Sequence, residues 1–92
     1  MHKEAIVNYI IAVFYSRSST MNFASLLKNH NIPCAIINTP RKLQRACGIS
    51  VKFLKDFFPK AQRLFYDKGY GKNFDGFYFE AQKNGYLEFE KY

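Results

Sequence analysis

The 92-residue chain has two cysteines, two histidines and no tryptophan, and the scarcity of each excludes something. Two cysteines, at 34 and 47, are too few for the disulfide framework of a small secreted domain. There is no Cys-x-x-Cys, and His2 and His30 lie far from each other and from the thiols, so metal-ligand spacing is absent and no metal or cofactor is expected. No run of apolar residues reaches the ~20 needed to cross a bilayer as a helix. Residues 5–15 come closest, but Asn8 interrupts them and they lead into Arg17, not into a small-residue cleavage site. A soluble, cytoplasmic protein without membrane contact is the expectation. Asp56, Asp67, Asp75, Glu80 and Glu88 form no recognisable acid–base pair. No Ser/His/Asp order and no phosphate-cradling glycine loop is present. These gaps remove any case for a glycosidase, a serine-type hydrolase or an NTPase. Internal repeats and low-complexity tracts are also missing.

What is present is an aromatic and basic domain. Ten Phe and seven Tyr within a 48% hydrophobic composition supply one modest core, so residues 1–92 read as a single ordered domain. The net charge of +7 is unevenly placed. Residues 41–72 carry nine Lys and Arg against Asp56 and Asp67, which accounts for the whole excess; the remaining segments hold five charges of each sign. A positive half attracts phosphate, nucleic acid or an acidic protein face, although a solvated basic surface needs no dedicated partner.

Hydrophobic patterning sets the order of elements. Residues 9–15 (YIIAVFY) are β-branched and aromatic on both parities, as in a central strand. The polar cluster 16–20 supplies N-cap residues for a helix from about 21 to 30, whose apolar side is Phe23, Ala24, Leu26 and Leu27. Residues 34–38 form a second strand. Ile49, Val51 and Phe53 alternate as the inward face of a third. Asp56 is positioned to cap a second helix with apolar Phe57, Ala61, Leu64 and Phe65, and Gly69 ends it. Strands 76–82 and 86–90 close the chain as a hairpin. Asn84-Gly85 suggests a two-residue turn, but that register would set Phe79 opposite Glu90 and Glu80 opposite Phe89. A three-residue loop is expected instead, because it pairs Phe79 with Phe89 and Ala81 with Leu87 and keeps one face apolar. The fold class is therefore α+β: a ferredoxin-like β-α-β-β-α-β plait with an extra C-terminal strand. Both helices would cover one sheet face, leaving the other bare and open to homodimerisation around Tyr9 and Tyr78.

The connection 39–48 draws attention because Cys47 follows Arg41, Lys42 and Arg45 and precedes a glycine. Neighbouring cations lower a cysteine's pKa from about 8.5, in some proteins to about 3.5–7.5, and the thiolate is the reactive form. Arg41 and Arg45 are the candidate thiolate-stabilising groups, and Gly48 would let a ligand or backbone approach closely. Arg41 with Arg17, Ser18, Ser19 and Thr20 at the first helix's start is a candidate anion-binding set, weighed against plain capping. Cys34, amid Ala35, Ile36 and Ile37, reads as a core residue, and its place at the opposite end of the strand pair argues against a bridge to Cys47.

Over residues 9–78 the chain resembles the selenium/sulfur carrier-like family of small bacterial proteins. The likeness rests on Phe14-Tyr15-Ser16, Leu26-Leu27, Asn31-Ile32-Pro33, Thr39-Pro40-Arg41, Cys47-Gly48-Ile49-Ser50 and Gly76-Phe77-Tyr78. Two departures are Gln44-Arg45-Ala46, where the family has a serine-rich approach to the cysteine, and Tyr15, where it often has proline. The resemblance implies a thiol-based carrier or accessory protein rather than a turnover enzyme. Cys47 would hold sulfur or selenium as a persulfide or selenosulfide, with a donor or acceptor protein as partner. Two alternatives from other classes stand beside it. One is a basic nucleic-acid- or acidic-partner-binding module, although strands one and three show no aromatic RNA-binding signature. The other is a dimeric interaction domain without chemistry.

Overall fold

The computed structural model describes residues 8–44 and 47–92, apart from the side chain of Lys83. Arg45, one of the two arginines expected beside the sulfur, lies outside the described residues, as do Ala46 and His2. The elements run β1 (Tyr9–Phe14), α1 (Arg17–Asn29), β2 (Cys34–Asn38), a 3-10 turn (Arg41–Leu43), β3 (Ile49–Leu54), a second 3-10 turn (Lys55–Phe57), α2 (Phe58–Asp67), β4 (Phe74–Lys83) and β5 (Tyr86–Lys91). The strands form one antiparallel sheet in the order β2-β3-β1-β4-β5. The protein is thus α+β, with a five-stranded sheet and two helices.

Both helices stop for the same local reason. Asn31 (φ 62°) follows α1 and Gly69 (φ 72°) follows α2, each in the left-handed conformation. The turned backbone then satisfies orphan carbonyls: Ile32 N–H donates to Leu27 C=O at 2.9 Å and Tyr70 N–H to Phe65 C=O at 3.1 Å. The starts differ from expectation. α1 begins at Arg17, and Ser16 alone caps it, extended at φ −119° and accepting from Ser19 N–H at 3.3 Å. Ser18, Ser19 and Thr20 are therefore first-turn residues and not caps. Asp56 lies in the second 3-10 turn and does not cap α2, which carries no side-chain cap and starts with Phe58-Pro59. Proline is harmless there because first-turn N–H groups have no intrahelical partner.

The main core lies between the helices and one sheet face. Ile10, Ala12, Phe14, Val51, Phe53 and Phe77 meet Phe23, Ala24 and Leu27 of α1 and Ala61 and Phe65 of α2. Its centre is aromatic: Phe65 stands 4.4 Å from Phe74 and 5.2 Å from Phe77, centroid to centroid, and Phe14 stands 4.9 Å from Phe74. Tilted and edge-on ring pairs of this kind add about 0.5–1.5 kcal/mol each beyond burial.

The opposite face is not bare. Ile11, Val13, Leu43 and Tyr78 form a second buried cluster there, with Ile37 and Phe89 packed against it. Leu43 comes from the 3-10 turn between β2 and β3, so a loop covers what the strand pattern left open. The terminal hairpin also differs from expectation. Lys83 pairs with Tyr86, Glu80 with Phe89 and Phe79 with Glu90, which leaves a two-residue turn, Asn84-Gly85. Both turn residues have positive φ, 51° and 82°, as this tight turn requires. Phe79 then joins the helix-side core and Phe89 the other cluster.

Candidate functional site

The connection from β2 to β3 is closed at its neck. Beyond the last strand pair, Asn38 with Ile49, Thr39 N–H donates to Gly48 C=O at 2.9 Å. The hydroxyls of Thr39 and Ser50, both buried, bond at 2.7 Å. Pro40 then starts the 3-10 turn, in which Leu43 N–H donates to Pro40 C=O at 2.8 Å. Leu43 is driven onto Ile11, Val13 and Tyr78, and Lys42 Nζ reaches Leu87 C=O on β5 at 3.1 Å. The returning end brings Cys47 to the helix layer. Its Sγ stands 3.6 Å from Oγ1 of Thr20 in the first turn of α1. Cys47 is half-buried, whereas Thr20 is fully buried. Gly48 sits at φ 86°, a conformation that residues with a Cβ rarely adopt; an added Cβ would meet nothing within 4 Å. Its glycine is thus demanded by the backbone turn and not by crowding within the chain.

The expected site residues fall as follows. Arg17 and Ser18 are exposed and Ser19 half-buried on the turn that holds Thr20, with Ser18 Oγ 2.9 Å from Ser16 Oγ. Arg41 is exposed on the 3-10 turn. Among the described residues, the side chain hydrogen-bonded to the sulfur is Thr20. It lies at the positive end of the α1 dipole, where negative charge is favoured. Among the described residues, no group of three or more His, Cys, Asp or Glu is placed to hold a metal ion. No helix among them is long and apolar enough to cross a membrane.

Cys34 occupies a different environment at the far end of the β2–β3 pair, opposite Phe53. Its thiol points to Ala24 C=O at 3.5 Å and borders a groove of about 390 Å³ with Tyr9, Pro33 and Lys52. Burial pushes its pKa up, and the positive charge of Lys28 offsets part of that rise. Both cysteines are free.

The cations of residues 41–72 are spread over several faces. Lys52 pairs with Glu80 at 3.4 Å and lies over the Tyr9 ring at 4.3 Å. Lys55 lies over the Phe79 ring at 4.6 Å, and Lys60 donates to His30 C=O at 2.9 Å. Val51 and Phe53, on the strand where RNA-binding sheets present aromatics, are buried in the core.

Sequence reasoning missed two features near this end of the sheet. Leu43 is the single large apolar residue between Pro40 and Ala46, and that isolation was its available signal. Asp75, its side chain 7% exposed, accepts from Tyr15 Oη at 3.0 Å and Tyr78 Oη at 2.8 Å, with Lys91 Nζ at 4.0 Å. Nothing local in the sequence joins residue 15 to residues 75 and 78.

With the site placed, comparison with known proteins adds one finding: residues 8–78 match the family model described as "Putative Se/S carrier protein-like". The chain belongs to that family. No curated protein and no solved structure matches it. The Se/S carrier-like span contains α1, the closed connection and Cys47, and ends within β4, so β5 lies beyond it. Tyr15 is structurally engaged: its N–H donates to Asn73 C=O at 2.6 Å and its hydroxyl to Asp75, and a proline at this position could make neither bond.

Proposed function

We propose that this protein is a sulfur or selenium carrier that holds the transferred atom on Cys47. The observation that carries the reading is the position of that sulfur within the family span. Both thiols are half-buried, but Cys47 stands at the positive end of α1, whereas Cys34 sits on a strand where burial disfavours the thiolate. In the loading step, the Cys47 thiolate attacks the outer sulfur of a donor protein's persulfide, R–S–SH. A new S–S bond forms to Cys47 as the donor's S–S bond breaks. The electron pair leaves on R–S⁻, which takes up a proton from solvent, and the transferred sulfur keeps its oxidation state. An acceptor thiolate discharges the atom by the same exchange. With an outer selenium the sequence of bonds is identical.

Arg41 and Arg45 are assigned to stabilise the charged sulfur, and Arg17, Ser18 and Ser19 to receive an anionic group of the partner. The strand order β2-β3-β1-β4, with both helices packed on one face, supports a ferredoxin-like plait extended by β5. The test is intact-mass and peptide mass spectrometry after exposure to a small-molecule persulfide or to selenide with glutathione disulfide. A gain of one sulfur or selenium atom on Cys47, lost in Cys47→Ser, is expected. An unmodified Cys47, or label on Cys34 alone, refutes the proposal.

A further inference from the structure

Thr20 is buried completely, yet its hydroxyl has two neighbours. Oγ1 lies 3.0 Å from Ser16 C=O and 3.6 Å from Cys47 Sγ. A threonine hydroxyl has one proton and two lone pairs. When the sulfur is a thiol, both contacts are satisfied in series: S–H donates to Oγ1, and Oγ1–H donates to Ser16 C=O. When the sulfur is an anion, it has no proton to give and needs a donor. The hydroxyl can turn to it at small cost, because Ser16 C=O retains a second partner, the N–H of Thr20 at 3.1 Å. Neither state leaves a buried polar group without a bond.

We propose that Thr20 is the positioning residue of the site, a switching hydroxyl whose proton serves the helix backbone while Cys47 is protonated and the sulfur once it is anionic. The inference deepens the carrier reading and rests on it only for the identity of the anion, a thiolate or the terminal sulfur of a persulfide. Because α1 fixes the position of Oγ1, the oxygen is already within reach of the sulfur before the charge forms, and only its O–H has to rotate.

The experiment measures the rate of Cys47 alkylation by iodoacetamide against pH in a Cys34→Ala background. Thr20→Val keeps the shape and removes the hydroxyl; Thr20→Ser keeps the hydroxyl and removes a methyl. Thr20→Val is expected to move the midpoint of the profile up by about half to one pH unit, slowing reaction at pH 7 roughly 3- to 10-fold, with the high-pH limit retained. Thr20→Ser should stay within about twofold of the parent. A Thr20→Val profile that overlays the parent overturns the proposal, as do equal changes in both variants, which would mark a packing role. If Thr20→Val fails to fold by circular dichroism, the Thr20→Ser and Thr20→Ala pair carries the same comparison. Persulfide loading of the parent is read separately: its failure removes the carrier reading but leaves the alkylation result to decide the role of Thr20.

Discussion

Replacing Leu43 with alanine is the sharpest probe of how the site is held. Leu43 is 5% exposed, although it belongs to a three-residue 3-10 turn in the connection between β2 and β3. It is the lid over Ile11 and Val13, whose exposures are 0% and 1%. Leucine-to-alanine changes in cores cost about 2–5 kcal/mol, the larger values arising where the cavity cannot collapse. A short turn can relax and water can enter from its side, so the lower part applies, about 2–3 kcal/mol. For a domain of this size each kcal/mol moves the melting temperature by about 4–8 °C, which predicts a fall of roughly 10–20 °C.

The assay is thermal and urea unfolding, with Leu43→Met as the volume-conserving control, expected to lose less than about 1.5 kcal/mol. Loosening of the lid should also reach Cys47, four residues on, and raise its alkylation rate in the folded protein. A melting shift below about 3 °C for Leu43→Ala, or equal losses in both variants, refutes the claim that this side chain fastens the loop to the sheet.

Two further outcomes follow from local geometry. Burial raises the Cys34 pKa above its ordinary 9.0, so both states are neutral below that pH and no stability difference arises from this thiol. As pH climbs past 9.0, the unfolded chain ionises first, so stability should decline until the folded thiol ionises too. Denaturation midpoints measured from pH 8 upward should show that decline reduced in Cys34→Ala, and identical slopes would contradict it. In the hairpin, a two-residue turn makes Lys83–Tyr86 a hydrogen-bonded pair, so Gln82–Leu87 and Glu80–Phe89 are the close, non-hydrogen-bonded ones. Nuclear Overhauser contacts between their Hα protons are expected; contacts that place Phe79 directly opposite Phe89 would restore the three-residue loop.

Much of the fold was legible from short-range rules. Strand alternation placed Val51 and Phe53 inward, the spacing of Ala61 and Phe65 placed both on the core side of α2, and Gly69 marked a stop. These are consequences of periods of 2 and 3.6 and of backbone angles, all set within a few residues. Cys47 was also visible, as a thiol in a basic stretch before a glycine. The hairpin register was not. The expectation assumed one apolar face, but this sheet has a core on each side, so Phe79 and Phe89 belong to opposite clusters and alternation cannot choose between registers. The φ values of Asn84 and Gly85 choose instead.

Thus the amino-acid order determined which segments become strands and helices, where they end, and which sulfur lies in a cationic connection. Only the folded chain decided what surrounds that sulfur. Thr20 and Cys47 are 27 residues apart, Leu43 meets strands that begin and end elsewhere, and Asp75 joins Tyr15, just after β1, to Tyr78 on β4. Such contacts depend on how β1, β3 and β4 lie side by side, a long-range outcome that no local period encodes. The separation has a physical basis: local angles fix elements one at a time, whereas a site assembled from a loop, a helix end and a sheet exists only once their packing is complete.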